Sequence, residues 1–426
     1  MTNFRSYDRS QRFLLPPDLK DWVADDDLAH FIVEASERVD LHSFHISRTG
    51  SGKAQYHPRM MLALLVYCYA SGIFSSRKIE QASYRNVSVR FITANTHPDH
   101  DTIAKFRRDN AAAFQTAFAQ ILILAKELGI LKVGMVSIDG TKIDANASKI
   151  KSLRYDRIEQ LRAKLEADIA DLVAQAEAAD QANEPDGLSL PDEISRRQNL
   201  KDKLDAAARR LEEAARDDDD GDGDDPTSPR PDKQTNLTDP DSALMRKSSR
   251  HEYRQAYNAQ AIVDADGSAL ILATNVLSTS NDRQDFDTLI DDLCASAGKP
   301  VTLLADAGYG GEKIISALKE REIEPLIAIS RQQAERPYDF RPDKKTDKPP
   351  PRIIAPWRIA MQEKLKTEEA KNKYRKRKYT VEPVFGIVKS VLGFTHFHLR
   401  GMDNVKNEWT LMALAHNCKR LSKLMA

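Results

Sequence analysis

Two short apolar runs, Val133–Ile138 and Val301–Ala305, each stop on an aspartate with a glycine one or two residues further on, at Asp139-Gly140 and Asp306-Ala307-Gly308. Runs of this length with such stops read as buried strands that deliver a carboxylate at their C-terminal edge. Between them, Tyr257–Val263 and Ala269–Val276 flank Asp264-Ala265-Asp266-Gly267, a hairpin in which Gly267 supplies the positive φ of the turn. Helical patterns follow at DRQDFDTLIDDLCASAG and EKIISALKERE, with a short strand at EPLIAIS. An antiparallel hairpin joined to strand–helix units predicts an α/β fold with a mixed sheet and helices on its faces.

The flanking segments are helical in pattern. Over 1–130, apolar residues recur at three and four in MMLALLVYCYASGI and AAAFQTAFAQILILAKELGI, predicting two buried helices. Between these, Asp99 or Asp101 caps a short amphipathic helix carrying Ile103, Phe106, Arg107 and Arg108. Small helices studded with Arg and Lys suit a DNA-binding bundle of the helix-turn-helix kind. Residues 149–216 are rich in Ala, Glu, Lys, Arg and Leu and are broken once, at NEPDGLSLPDE, so they read as an inserted antiparallel helical hairpin. An acidic tract, 217–249, reads as a disordered connector. The expected domains are therefore a helical unit at 1–130, a catalytic unit at 131–148 and 250–426, the hairpin and the connector.

Charge is balanced overall, with Lys+Arg and Asp+Glu at 64 each, but it is segregated. Seven of the nine residues in 217–225 are Asp, whereas six of the eight in 371–378 are Lys or Arg. The stretch 344–378 holds 13 basic and four acidic residues, a net of +9. Such a block is either a solvated linker or a footprint for nucleic-acid phosphates, whose condensed counterions it would release. No apolar run is long enough to span a bilayer, and residues 1–20 lack the apolar stretch of a secretory signal. Three widely spaced cysteines, Cys68, Cys294 and Cys418, suit a reducing cytoplasm and make no zinc knuckle. His396 and His398 have no third ligand nearby in sequence, so no zinc site is expected there.

Asp139 and Asp306 could lie side by side, and Glu382, at the start of a later helix, could complete an acidic triad. Three packed carboxylates repel one another unless a cation neutralises them, and hard oxygen donors suit magnesium. Each residue also has a plainer reading: aspartate before glycine is a common turn former, and Glu382 complements a helix dipole.

At these same residues the chain resembles the DDE transposases of bacterial insertion sequences. SIDGTKIDANAS resembles the first-Asp block, LLADAGYGG the second, and KYRKRKYTVEPVFGIVKSVLGF the Tyr–Arg–Glu–Lys signature. NLTDPDSALM, YNAQAIVD and SNDRQDFDTL resemble further blocks of one branch, and PDHDTIAKFRR its N-terminal domain. The likeness implies an RNase H-like catalytic core in which Asp139, Asp306 and Glu382 hold two Mg2+ ions, or Mn2+, and in which a transposon end is cut and its 3′ hydroxyl joined to target DNA. It implies DNA contacts from Lys389, Lys378, Arg377, Arg375, Lys376, Arg107 and Arg108. It further implies DNA as the partner, bound by a homodimer in the bacterial cytoplasm at the nucleoid, and no membrane. The signature departs in one place: the expected Arg and Tyr positions hold Lys378 and Arg375, while Tyr374 and Arg377 stand one residue early. Lys142 is a weaker candidate beside Asp139, and Asp144 is a spare ligand or, on balance, a surface residue. Trp409, Trp357 and Tyr309 are candidates for stacking on a flipped base, although a Trp409 at helical spacing from Leu411 and Leu414 is more often core. A nuclease without strand transfer and a DNA-binding relative that no longer catalyses are the competing readings.

Overall fold

The computed structural model describes residues 18–46, 54–182, 190–217, 231–246, 252–279, 281–329 and 355–425. Six helices open the chain: α1 (Leu28–Glu37), α2 (Pro58–Ala70), α3 (Ser76–Arg85), α4 (Val87–Ile92), α5 (His100–Asp109) and α6 (Ala111–Glu127). Helix α2 starts on Pro58, where the missing N–H costs nothing, and is buried throughout Met61–Ala70. Of the two possible caps for α5, Asp99 is the one used; it accepts from Thr102 N.

Strand β1 (Met135–Asp144) follows. A short strand β2 (Ser152–Arg154) then leads into the long helices α7 (Tyr155–Ala182) and α8 (Leu190–Asp217). Contacts between Tyr155 and Glu212, Arg162 and Asp205, and Glu166 and Lys201 run in opposite directions along the two helices, giving the expected antiparallel hairpin. Ile158, Leu165 and Leu204 form its small separate core.

The next segment corrects the sequence reading. Within 217–249, residues 231–246 are ordered and build β3 (Gln234–Asn236), paired with β2, and β4 (Ala243–Met245). Polar residues can be buried here because they bond to one another: Asn236 holds Ser148 O, and Asp239 accepts from Tyr257 Oη. Positions 218–230 and 247–249 lie outside the described residues.

The hairpin strands are β5 (Arg254–Asp264) and β6 (Ile271–Leu277), and Asp264 closes the turn by accepting from Ser268 N. They are followed by α9 (Phe286–Ser296), β7 (Thr302–Ala305), α10 (Glu312–Glu320) and β8 (Glu324–Ile327). The sheet runs β6–β5–β1–β7–β8, with β4 beside the start of β5. The first three strands are antiparallel, and β1, β7 and β8 are parallel. This is the mixed sheet of the expected RNase H-like core.

One strand boundary differs from expectation. Asp139 does not end β1, which continues to Asp144 because β5 goes on pairing with it. What stops at Ser137 is the pairing with β7, so Asp139 sits where the two strands part.

The basic stretch is helical in its described part: α11 (Pro356–Lys366), α12 (Glu368–Arg375) and a tight turn at Lys376–Tyr379. Next comes α13 (Val381–Gly386), which widens into a π turn at Ile387–Val391, and last α14 (Met402–Met425). Helix α14 is buried through Glu408–Cys418 and packs on β6, α2 and α6. One apolar core therefore runs from the N-terminal helices through α14 into the sheet.

Candidate active site

Three distant stretches deliver carboxylates to one guanidinium. Arg377 Nη2 lies 2.8 Å from Asp139 Oδ2 and 3.9 Å from Asp306 Oδ2, while Nη1 lies 3.5 Å from Glu382 Oε1. Local structure fixes each member. Asp139 leaves the sheet at the β1–β7 fork and takes a bond from Gly140 N to Oδ1. Asp306 caps the short turn after β7, accepting from Gly308 N. Glu382 stands in the first turn of α13. Tyr374 donates its hydroxyl to Ala305 O, pinning the end of α12 under β7 and so placing Arg377.

Hydration is uneven across the site, with the Asp306 and Glu382 side chains open to solvent and the other two members largely covered. The Arg377 side chain is 13 % exposed and that of Asp139 20 %. Burial pushes the Asp139 carboxyl up to about 6, with Asp306 and Asp282 adding repulsion, against the pull of Arg377 and the Gly140 amide. Asp282 is raised as well, by burial first and then by Asp306, despite a hydrogen bond from Asn258. Beneath them Tyr309 is fully buried, and Gln260 donates to its hydroxyl.

The carboxylates offer hard oxygens that already share one cation, which is the donor chemistry magnesium or manganese takes. Among the described residues, however, no three Asp, Glu, His or Cys side chains stand together as a ready metal cage. The guanidinium is what the three acids meet.

Lys389 sits in the π turn, where its Nζ donates to Thr141 Oγ1 and Lys142 O, both at 2.6 Å. It thus ties the third-carboxylate helix to the strand of the first. Arg375, Lys376 and Lys378 are exposed around Arg377, with Lys376 3.6 Å from Asp266. Lys142 bonds Arg246 O, and Asp144 pairs with Arg254 on the surface.

Several expectations are overturned. Arg107 is not on a DNA-facing surface; it is 4 % exposed and donates to Tyr69 Oη and Phe74 O, because its position on α5 faces the core, whereas Arg108 is exposed. Tyr309 is fully buried and cannot meet a flipped base; Trp409 is fully buried too, in keeping with its core-like spacing, and its indole donates to Gln260 O. Trp357 is half-buried against Gly310. Asp282 and its hydrogen-bond partners Asn258 and Gln260 were not singled out in the sequence, although SNDRQDFDTL and YNAQAIVD, the blocks that contain them, were among those resembling the family.

Comparison with known proteins gives two family matches. Residues 18–109 match a transposase domain (DUF772), and residues 224–418 match a transposase DDE domain. No curated protein and no solved structure matches the chain. The second match takes in Asp306 and Glu382, and Asp139 joins them by geometry alone. With its opening helices and its carboxylate-bearing C-terminal part each matched as a transposase domain, the chain belongs to the DDE-type transposases of insertion sequences.

Proposed function

We propose that this transposase cuts phosphodiesters at the ends of its element and joins the freed 3′ hydroxyls to target DNA, with Asp139, Asp306 and Glu382 as the cation-holding set. The observation that carries the reading is a single guanidinium within 4 Å of all three acids. Two Mg2+ ions, or Mn2+, bound there would offset charge on the attacking and leaving oxygens of an in-line displacement. The chain's own residues do the rest. The low hydration of Asp139 strengthens every charge interaction at the β1–β7 fork. Tyr374 and Lys389 hold α12 and the π turn against the two Asp-bearing strands, so the third acid cannot drift. Arg377 is placed to move from carboxylate to phosphate, a ligand its fork suits as well. Arg375, Lys376, Lys378 and Arg108 supply exposed charge for the DNA backbone, with two ends held by two copies of the chain.

Incubating the protein with a labelled terminal fragment of its element, a plasmid and Mg2+ tests this. Joined product from the wild type, with cleavage lost and end binding kept in Asp139→Asn, Asp306→Asn and Glu382→Gln, is the expected result. Cleavage without joining would make the protein a nuclease, and near-normal cleavage by any variant removes that residue from the set.

A further inference from the structure

Helix α3 turns Ile79, Ala82 and Ser83 inward, so Arg77, Lys78, Gln81, Tyr84 and Arg85 share its outer face at helical spacing, and all five are exposed. The helix has one acid, Glu80, and that side chain faces α5, accepting from His100 N and lying 2.8 Å from His100 Nδ1. The outer face therefore carries three cations and no carboxylate, whereas the exposed face of α5 mixes Asp101 and Asp109 with Lys105 and Arg108. Its side chains are also set in place. With its amide turned to suit both groups, Gln81 accepts from Arg85 Nη1 and Nη2 at 3.1 and 3.2 Å. The Tyr84 ring, 57 % exposed, stacks on His97 with centroids 3.8 Å apart.

The helix is fixed to the catalytic body at one end. Phe74, just ahead of it, packs on the rings of Phe394 and His398 and accepts from Arg107 Nη1. That same segment closes on β1, where Asp144 N donates to Thr395 O and Phe397 N to Asp144 O. Asp144 is five residues from Asp139, about 16 Å along the strand. A ten-residue helix is about 15 Å long and fits a major groove about 12 Å wide. Its outer face suits duplex DNA: cations meet phosphates, Arg and Gln match the edges of guanine and adenine, and an aromatic ring meets a thymine methyl.

We propose that α3 is the sequence-reading helix of this chain, seated in the major groove of its element's end, with Gln81 and Arg85 on base edges and Arg77 and Lys78 on phosphates. This rests on the reading, given above, that the chain processes those ends. The 16 Å from Asp139 to Asp144 and the 15 Å of α3 together span about nine base pairs at about 3.4 Å each, so the bases read lie about five to ten pairs inside the cut.

The test titrates the full-length protein, in chelator, with a labelled terminal fragment and with a scrambled fragment of the same length and composition. Wild type, Arg77→Ala, Gln81→Ala and Arg85→Ala are compared, each checked by melting temperature and by mass in solution. Gln81→Ala and Arg85→Ala are expected to lose about tenfold in preference for the terminal fragment. Arg77→Ala should weaken both fragments alike and flatten the slope of log K against log salt by about 0.9. All three should melt as the wild type does, since the side chains lie on the surface. Methylating guanine N7 five to ten pairs inside the end should hinder the wild type and leave Arg85→Ala unaffected. Wild-type preference kept in both Gln81→Ala and Arg85→Ala overturns the role of α3 and leaves end processing standing. A changed mass with that preference intact gives the face to a second copy of the chain and overturns the role as well. Equal binding of both fragments by the wild type overturns the end-processing reading itself.

Discussion

The Asp139 carboxyl gives a sharp stability prediction. Its value rises from 3.8 to about 6 on folding, because burial outweighs the 2.8 Å contact with Arg377. Two pKa units correspond to about 3 kcal/mol, at about 1.4 kcal/mol per unit. The folded state holds this proton more tightly than the unfolded chain, so the contribution is intact below pH 4 and is lost as pH rises through about 6. Asp139→Asn cannot ionise and keeps an oxygen for Gly140 N. The Arg377 attraction acts only on the ionised carboxylate and is already contained in the net shift, so it adds no separate pH-dependent term. The difference in melting temperature, Asp139→Asn minus wild type, therefore grows between pH 4 and 7 by a few degrees at roughly 1–2 °C per kcal/mol for a chain of this size. The assay is thermal melting in chelator, without DNA, at half-unit pH steps. A flat difference, or one that falls with pH, would show that Arg377 rather than desolvation governs this site.

Other substitutions separate packing from DNA contact. Glu408→Gln should cost about 3–5 kcal/mol in denaturant unfolding, because it leaves the buried Arg107 charge without its acid; wild-type stability would refute this. Arg107→Ala should destabilise the fold yet leave the salt dependence of end binding unchanged. Arg375→Ala, Lys376→Ala and Lys378→Ala should each flatten the slope of log K against log salt by about 0.9, one phosphate contact apiece. An unaltered slope assigns that residue to the fold. Trp409→Phe should lower stability by about 1–3 kcal/mol, through lost volume and the lost bond to Gln260 O, with unchanged cleavage products.

The sheet was legible because strands announce themselves by period and by turn chemistry. Val133–Ile138, the 257–276 hairpin and Val301–Ala305 all form, and the mixed topology follows from their order. Local patterning does not report what a long-range partner does to an edge. Thus β1 runs six residues past Ile138, to Asp144, because β5 extends it. Nor does charge reveal which way a residue faces. Arg107 and Arg108 are neighbours in sequence, yet one is interior and the other exposed, a distinction set by α5 docking against α2 and α14. The acidic tract misled for a related reason: composition measures the cost of burying Asp, whereas for Asp239 part of that cost is offset by Tyr257 Oη and Gly401 N, which both donate to its Oδ1. Asp282 went unremarked within SNDRQDFDTL because its neighbours Asn258, Gly140 and Gly308 are distant in sequence.

The buried charges tie the N-terminal helices to the segment that closes on the strand bearing Asp139. Glu408 on α14 accepts from Tyr69 Oη on α2 and from the backbone amides of His398 and Leu399. Burial works against its charge, yet the donors at His398 and Leu399 and the nearby Arg107 hold its carboxyl below the ordinary range. Arg107 on α5 completes the knot through Tyr69. The segment these amides belong to leads directly from the π turn that carries Lys389, and it closes on β1 where Phe397 N donates to Asp144 O. A chain of hydrogen bonds therefore runs from two N-terminal helices to the far end of the strand that bears Asp139. A ligand that shifts α2 or α5 would have to strain this knot or move the segment after Glu382 with it. The hydrogen-bonded path predicts that Glu408→Gln lowers cleavage even in molecules that remain folded, as read by cleavage per folded molecule; unchanged cleavage would refute the coupling.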